Sequence, residues 1–83
     1  MEITCRITFP DADTATEYRY AVGAPSPVEV IGQRMHMLRI DRSDGLQLKA
    51  YGFDLIDVYE SALLVIRCSV EGAAGKVGAI QWD

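Results

Sequence analysis

The stretch Tyr51-Gly52-Phe53-Asp54, followed by residues 55–71 (LIDVYESALLVIRCSVE), decides the fold of this chain. Asp54 is a residue type that accepts hydrogen bonds from the free N–H groups at a helix start, and Asp57 places a negative charge near the positive end of that helix. Gly72 follows, and glycine readily takes the left-handed conformation that ends many helices. We therefore predict one α-helix over about residues 55–71.

The apolar residues of this helix share one side. With 3.6 residues per turn they fall on an arc of about half the helix circumference. Ile56 lies at the margin of the arc. We predict that the arc packs in the core, and its members are Leu55, Val58, Tyr59, Ala62, Leu63, Val65, Ile66 and Val70.

The segments outside the helix alternate apolar and polar residues, which is the pattern of strands with one buried face. Residues 2–9 and 16–22 predict a hairpin, interrupted by a break from Pro10 to Asp13. Residues 23–27 contain two prolines and predict a crossing loop, because proline has no N–H to donate to a ladder. Further strands are predicted over residues 28–31 (at a sheet edge), 35–41, 46–51 and 77–82.

This order of strands, helix and strand favours an α+β fold. We expect an antiparallel sheet of four to five strands with one α-helix, about residues 55–71, packed on one face. The length of 83 residues is that of one domain, residues 1–83, with a single modest core.

The Asp44-Gly45 pair is the strongest hairpin signal in the chain. A two-residue turn there would set Ile40 opposite Lys49 and mix apolar with polar groups on one face. A four-residue loop, residues 42–45, instead pairs Ile40 with Leu48 and gives one consistent apolar face. We predict the longer loop.

Composition and charge limit the classes of partner. The formal charge is −4 and the pI is near 4.8, which opposes non-specific binding to nucleic acid or to an anionic membrane. Residues 1–6 include an acid where a secretory signal needs positive charge, so we expect a cytoplasmic protein. That compartment favours reduced thiols at Cys5 and Cys68, and a disulfide between them stays open for an exported form.

The side of the helix opposite the apolar arc carries the candidate binding site. Asp57, Glu60, Arg67 and Glu71 project there, with Leu64 among them. Single exposed leucines are common on protein surfaces. The sharper hypothesis makes Leu64 the apolar centre of a protein-binding patch with a charged rim, formed by these five residues. Its partner is either another protein or a second copy of the chain.

Few residues suit catalysis or metal binding. His36 is the sole histidine, and Cys5 and Cys68 lack Cys-x-x-Cys spacing, so we predict no metal site and no cofactor. A nucleophile–base pair of His36 with one of the cysteines is the one conceivable catalytic arrangement. Residues 72–76 (GAAGK) match a phosphate loop only in part, and they indicate a turn.

Several short motifs together resemble a family of small uncharacterised bacterial proteins. They are the Val30-Ile31-Gly32 step, the Tyr51-Gly52-Phe53-Asp54 entry, Ala62-Leu63 with Ile66, and the closing Gly78 to Trp82 strand. That family pairs a short β-meander with a helix introduced by an apolar-Gly-apolar-Asp motif. The resemblance covers about residues 28–82 and implies an architecture rather than an activity.

Three functional hypotheses follow. The first is a non-enzymatic protein-binding domain, such as an inhibitor, immunity or accessory factor, which acts through the acidic helix face. The second is a small enzyme or ligand-binding domain that uses His36, Tyr51 and a cysteine at a sheet end. The third is a structural homodimer subunit whose exposed apolar residues are buried on assembly.

Overall fold

The computed structural model describes residues 1–12 and 14–83, which form six strands and one helix. The elements are β1 (Glu2–Thr8), β2 (Thr16–Val22), β3 (Ser26–Val30), β4 (Gln33–Arg42), β5 (Gln47–Gly52), α1 (Leu55–Ala74) and β6 (Ala79–Trp82). All strand pairs are antiparallel, and this confirms the predicted α+β class. The sheet has six strands rather than four to five. Asp13, at the end of the predicted break between the first strands, lies outside the described residues.

Strand β4 is the centre of the sheet. It pairs with β5 along one edge and with β2 and then β3 along the other, while β1 and β6 extend the sheet beyond β2. Val22 pairs with Ile40 and Ser26 with Met37, so the chain advances four residues on one side and three on the other. The extra residue lies in the segment 23–25, which connects the two strands.

The predicted register of the β4–β5 hairpin is confirmed. Ile40 lies opposite Leu48, and Leu38 lies opposite Ala50. The connecting residues are 43–46, one position later than the predicted loop. Gly45 has a φ of 99°, a conformation that favours glycine.

The prediction that both prolines lie outside the sheet is wrong. Pro27 is part of β3, where it pairs with His36. Among the described residues β3 pairs with β4 alone, so it is an edge strand, and a missing N–H is tolerated there. Ile31, predicted as the end of this strand, instead forms a two-residue turn with Gly32.

The helix start is confirmed and the predicted helix end is wrong. Asp54 accepts a hydrogen bond from the Asp57 backbone N–H at 2.7 Å, and the Asp57 carboxylate accepts one from the Phe53 N–H at 2.8 Å. This pairing is a variant of the capping box, with aspartate in the usual place of glutamate and with the N–H of Phe53, one residue before the N-cap, as the second donor. The helix continues through Gly72 to Ala74, and Gly75, with a φ of 61°, is the residue that ends it.

The core lies between α1 and the concave face of the sheet. Its sheet side is formed by Cys5, Ile7, Tyr20, Val22, Leu38, Ile40 and Ala50. The helix contributes Val58, Ala62, Ile66, Val70 and Ala74, which recur every four residues. This stripe is narrower than the predicted half-circumference arc, because the helix lies over β5 and β4 rather than over the whole sheet. Leu55, Tyr59 and Leu63, predicted as core, are exposed.

Candidate protein-binding site

The outer surface of α1 brings together most of the predicted binding residues. Leu64 is 61% exposed, Leu63 beside it is 50% exposed, and both line a shallow depression with Glu60 and Arg67. We call these four residues the outer helix patch. Two adjacent leucines between an acid and a base match the composition of a small interface with an apolar centre and a polar rim.

Leu63 belongs to this surface although the sequence pattern placed it in the core. Helical periodicity shows which residues share a side, but it does not show how wide a strip the sheet covers. The helix contacts β5 most closely, and the flank that carries Leu63 faces Ile3 of β1 and Trp82 of β6 across a groove. The outer helix patch is therefore more apolar than the sequence predicted.

A groove continues from the outer helix patch toward the sheet edge. It has a volume of about 190 Å³ and is lined by Ile3, Leu63, Ile66, Arg67 and Trp82. Trp82 pairs with Cys5 in the β6–β1 ladder, which puts its ring on the helix side of the sheet. We call this feature the Trp82 groove. A half-exposed tryptophan beside exposed leucines is typical of an interaction surface, where large aromatic side chains supply much of the binding energy.

The two remaining predicted residues lie on the same side of the helix but outside the depression. Asp57 is half-buried, and its carboxylate is engaged by the Phe53 N–H at the helix start. Glu71 is exposed one turn beyond Arg67. The face is therefore less acidic in effect than its sequence indicated, since one of its three acids is used to cap the helix.

The structure does not bring together the residues of the catalytic hypothesis. His36 faces the helix side of the sheet, whereas Tyr51 pairs with Met37 and lies on the opposite face. Cys5 pairs with Tyr18, whose ring lies 4.5 Å from the Arg42 guanidinium carbon. Cys5 therefore lies near Arg42, at the opposite end of β4 from His36. These two positions on β4 are six residues apart, roughly 20 Å at strand spacing.

The two cysteines differ in environment. Cys5 is buried, and burial raises the pKa of its thiol, which keeps it in the unreactive protonated form. Cys68 is exposed on α1. Both are free thiols in the part of the chain that the structure describes, so the disulfide left open by the sequence is not formed.

Arg42 holds the β4–β5 hairpin against the helix. Its guanidinium makes a bidentate pair with the Asp44 carboxylate at 2.8 and 2.6 Å, and it donates to the Ser69 hydroxyl at 3.3 Å. These two hydrogen bonds to Arg42 lower the pKa of Asp44 to about 2 and raise the pKa of Arg42. The Tyr20 hydroxyl lies 3.0 Å from Ser69 and completes the cluster. Because the polar groups of this cluster form hydrogen bonds with one another, we assign the cluster a structural role.

A larger cleft, of about 730 Å³, lies beside the β3–β4 hairpin. It is lined by Pro27, Val28, Glu29, Arg34, Met35, His36 and Phe53. Among residues 1–12 and 14–83, no group of three histidine, cysteine or acidic side chains could hold a metal ion. Within that same part of the chain, no helix is both long and apolar enough to cross a membrane.

The fold and this surface define a class: a small α+β domain with a curled antiparallel sheet and one helix whose outer side carries exposed apolar residues between charged ones. Comparison with known protein families, with curated proteins and with solved structures finds no match to this chain. The resemblance to small bacterial proteins therefore stays a prediction from short motifs.

Proposed function

We propose that this chain is a small non-enzymatic protein-binding domain, such as an inhibitor, immunity or accessory factor. It acts through the outer helix patch and the adjoining Trp82 groove. The observation that carries the proposal is the run of exposed apolar side chains on one side of α1. Ile56 is 73% exposed, Leu64 61% and Leu63 50%.

Chemistry as well as exposure supports the proposal. Isolated apolar residues on a surface need no explanation, but adjacent ones rimmed by charge mark interaction sites. Glu60 and Arg67 supply that rim on either side of the leucines. Trp82, at the end of the groove, adds an aromatic anchor of the kind that dominates interface energetics.

The test is affinity capture from a lysate of the source organism, with wild type and Leu64→Asp as baits. Leu64 is largely exposed, so the substitution should leave the thermal midpoint nearly unchanged, because it removes little buried area. Capture should fall by about tenfold or more, since a charge in the centre of the interface must be desolvated. A captured partner can be either a different protein or an untagged copy of this chain, and both support the proposal.

Val77→Asp is the matched control. Val77 is 66% exposed in the turn between α1 and β6, so the same chemical change is made away from the outer helix patch. Capture by this control should equal that of wild type. Equal loss in both variants, or no loss in Leu64→Asp, would overturn the proposed function.

A further inference from the structure

The exposed residues along the outer side of α1 form a stripe whose spacing is the same read from either end, with opposite charges at equivalent positions on the two sides of its centre. Its members are Ile56, Glu60, Leu63, Leu64, Arg67 and Glu71, with steps of four, three, one, three and four residues, and all are exposed. At 3.6 residues per turn they fall within an arc of about 100°. The acid Glu60 and the base Arg67 lie at equal distances from the midpoint between the two leucines.

This symmetry points to one kind of binding partner for the stripe. We infer that the stripe pairs with the same stripe of a second copy of this chain, with the helices antiparallel across a two-fold axis between Leu63 and Leu64. The inference rests on the proposed function and names its partner. A two-fold interface uses one patch on both subunits, so the patch must be complementary to itself.

The centre of the stripe, residues 60–67, meets that condition. Under the two-fold axis Glu60 lies level with Arg67 of the second copy, and Arg67 with Glu60 of that copy, so two opposite-charge pairs form. Leu63 lies level with Leu64 of the second copy, and Leu64 with Leu63 of that copy. The apolar centre is then covered by leucine on both sides, with an ion pair at either end, which is how helix pairs combine apolar contacts with flanking charges.

Charge also favours a second copy over a uniformly basic partner. In such a partner a positive charge would face Arg67, which lies at the middle of one half of the stripe. Asp57 is not free to attract that partner, because its carboxylate already accepts a hydrogen bond at the helix start. No ion pair within the described residues involves Glu60 or Arg67, so each keeps its charge for an intermolecular contact. Like charges brought face to face oppose association.

The size of the stripe sets the strength expected. A helix of 20 residues is about 30 Å long, and six stripe residues with Tyr59 and Trp82 at the flank make an interface below the standard size. We therefore expect a dissociation constant in the micromolar range, roughly 1–100 μM. Trp82 is the one tryptophan of the chain and lines the groove beside Leu63, so its fluorescence reports the pairing.

The decisive experiment reverses one charge at a time in the purified full chain. Glu60→Arg sets two arginines opposite each other in both halves of the interface, and Arg67→Glu sets two glutamates opposite each other. Each variant alone should dissociate at least about tenfold more readily than wild type in sedimentation equilibrium. An equimolar mixture of the two should dimerise with nearly wild-type affinity, because every facing pair is again of opposite charge.

Matched controls make the same changes of net charge elsewhere. Glu29→Arg on β3 and Lys49→Glu on the outer face of β5 are exposed and remote from the stripe. Both should associate as wild type does. Circular dichroism of every variant establishes that it is folded, which separates lost pairing from lost structure.

Three outcomes would overturn the inference: a wild-type chain that is monomeric up to about 1 mM, single reversals that associate like wild type, or a mixture that stays monomeric. Its failure is distinguishable from that of the proposed function. A monomeric chain whose capture of another protein still depends on Leu64 removes the second copy as partner and leaves the binding domain in place. A monomeric chain whose capture is indifferent to Leu64 removes both.

Discussion

Ile31 shows how a single residue departs from what its type prefers. It is 99% exposed, and its φ of 49° lies in the left-handed region, where a β-branched side chain is strained. Together with Gly32, at a φ of 76°, it forms the two-residue turn between β3 and β4. Asn-Gly is the pair that such turns favour.

We therefore predict that Ile31→Asn raises the free energy of unfolding by about 1 kcal/mol, because asparagine tolerates the left-handed region far better than isoleucine. Urea denaturation monitored by circular dichroism measures the change. Val77→Asn is the control, since Val77 is exposed and does not have a positive φ. It should give no comparable gain, and equal stabilities of Ile31→Asn and wild type would contradict the strain argument.

At the scale of the elements, Gly52 in β5 and Gly72 in α1 have opposite effects on the stability of the fold. A Cβ on Gly52, the last residue of β5, would lie 2.3 Å from the Val58 backbone nitrogen, so the first turn of α1 rests directly on the strand. A Cβ on Gly72, inside α1, would meet no atom within 4 Å. The first glycine is required by close packing, and the second only weakens the helix.

The same substitution should therefore have opposite effects at the two sites. Gly52→Ala should lower the free energy of unfolding by at least about 2 kcal/mol, because backbone must move to admit the methyl group. Gly72→Ala should raise it by about 0.5–1 kcal/mol, since alanine is the better helix former. Denaturant titration of both variants against wild type decides the matter, and changes of the same sign would refute this account of the packing.

At the scale of the whole molecule, the chain is elongated. Its radius of gyration is 14.5 Å and its extents are 49 × 21 × 20 Å, whereas a compact chain of this length has a radius of about 12 Å. The β3 strand and the first residues of β4 contain no buried side chain. The helix-covered core thus occupies one part of the molecule, and the β3–β4 hairpin projects from it.

This distribution predicts unequal local stability. Amides in residues 28–35 should exchange with solvent at least about 100-fold faster than those of Leu38 and Ile40, because local opening of the hairpin exposes little apolar surface. Hydrogen exchange followed by NMR measures both regions in one sample, so the core amides serve as the internal reference. Uniform protection along β4 would contradict the prediction.

Local chemistry made much of this fold predictable. The Asp54 cap depends on contacts within four residues, and the alternation in β1, β2, β4 and β5 depends on each strand having one buried face. The register of the β4–β5 hairpin followed from matching apolar faces. Each of these features is set by neighbours along the chain or by a single directly bonded strand.

The tertiary structure decided the features that depend on contacts between distant parts of the chain. The helix extends past Gly72 because Ala74 gains a buried position, and Pro27 enters β3 because that strand lies at an edge. Tyr59 and Leu63 are exposed because α1 is seated over β5 and β4, which no periodicity along one helix determines. The amino-acid sequence by itself determined the elements and their apolar sides, since those depend on short-range interactions. Only the docking of the helix decided which apolar residues remain outside for a partner, because coverage depends on where two distant surfaces meet.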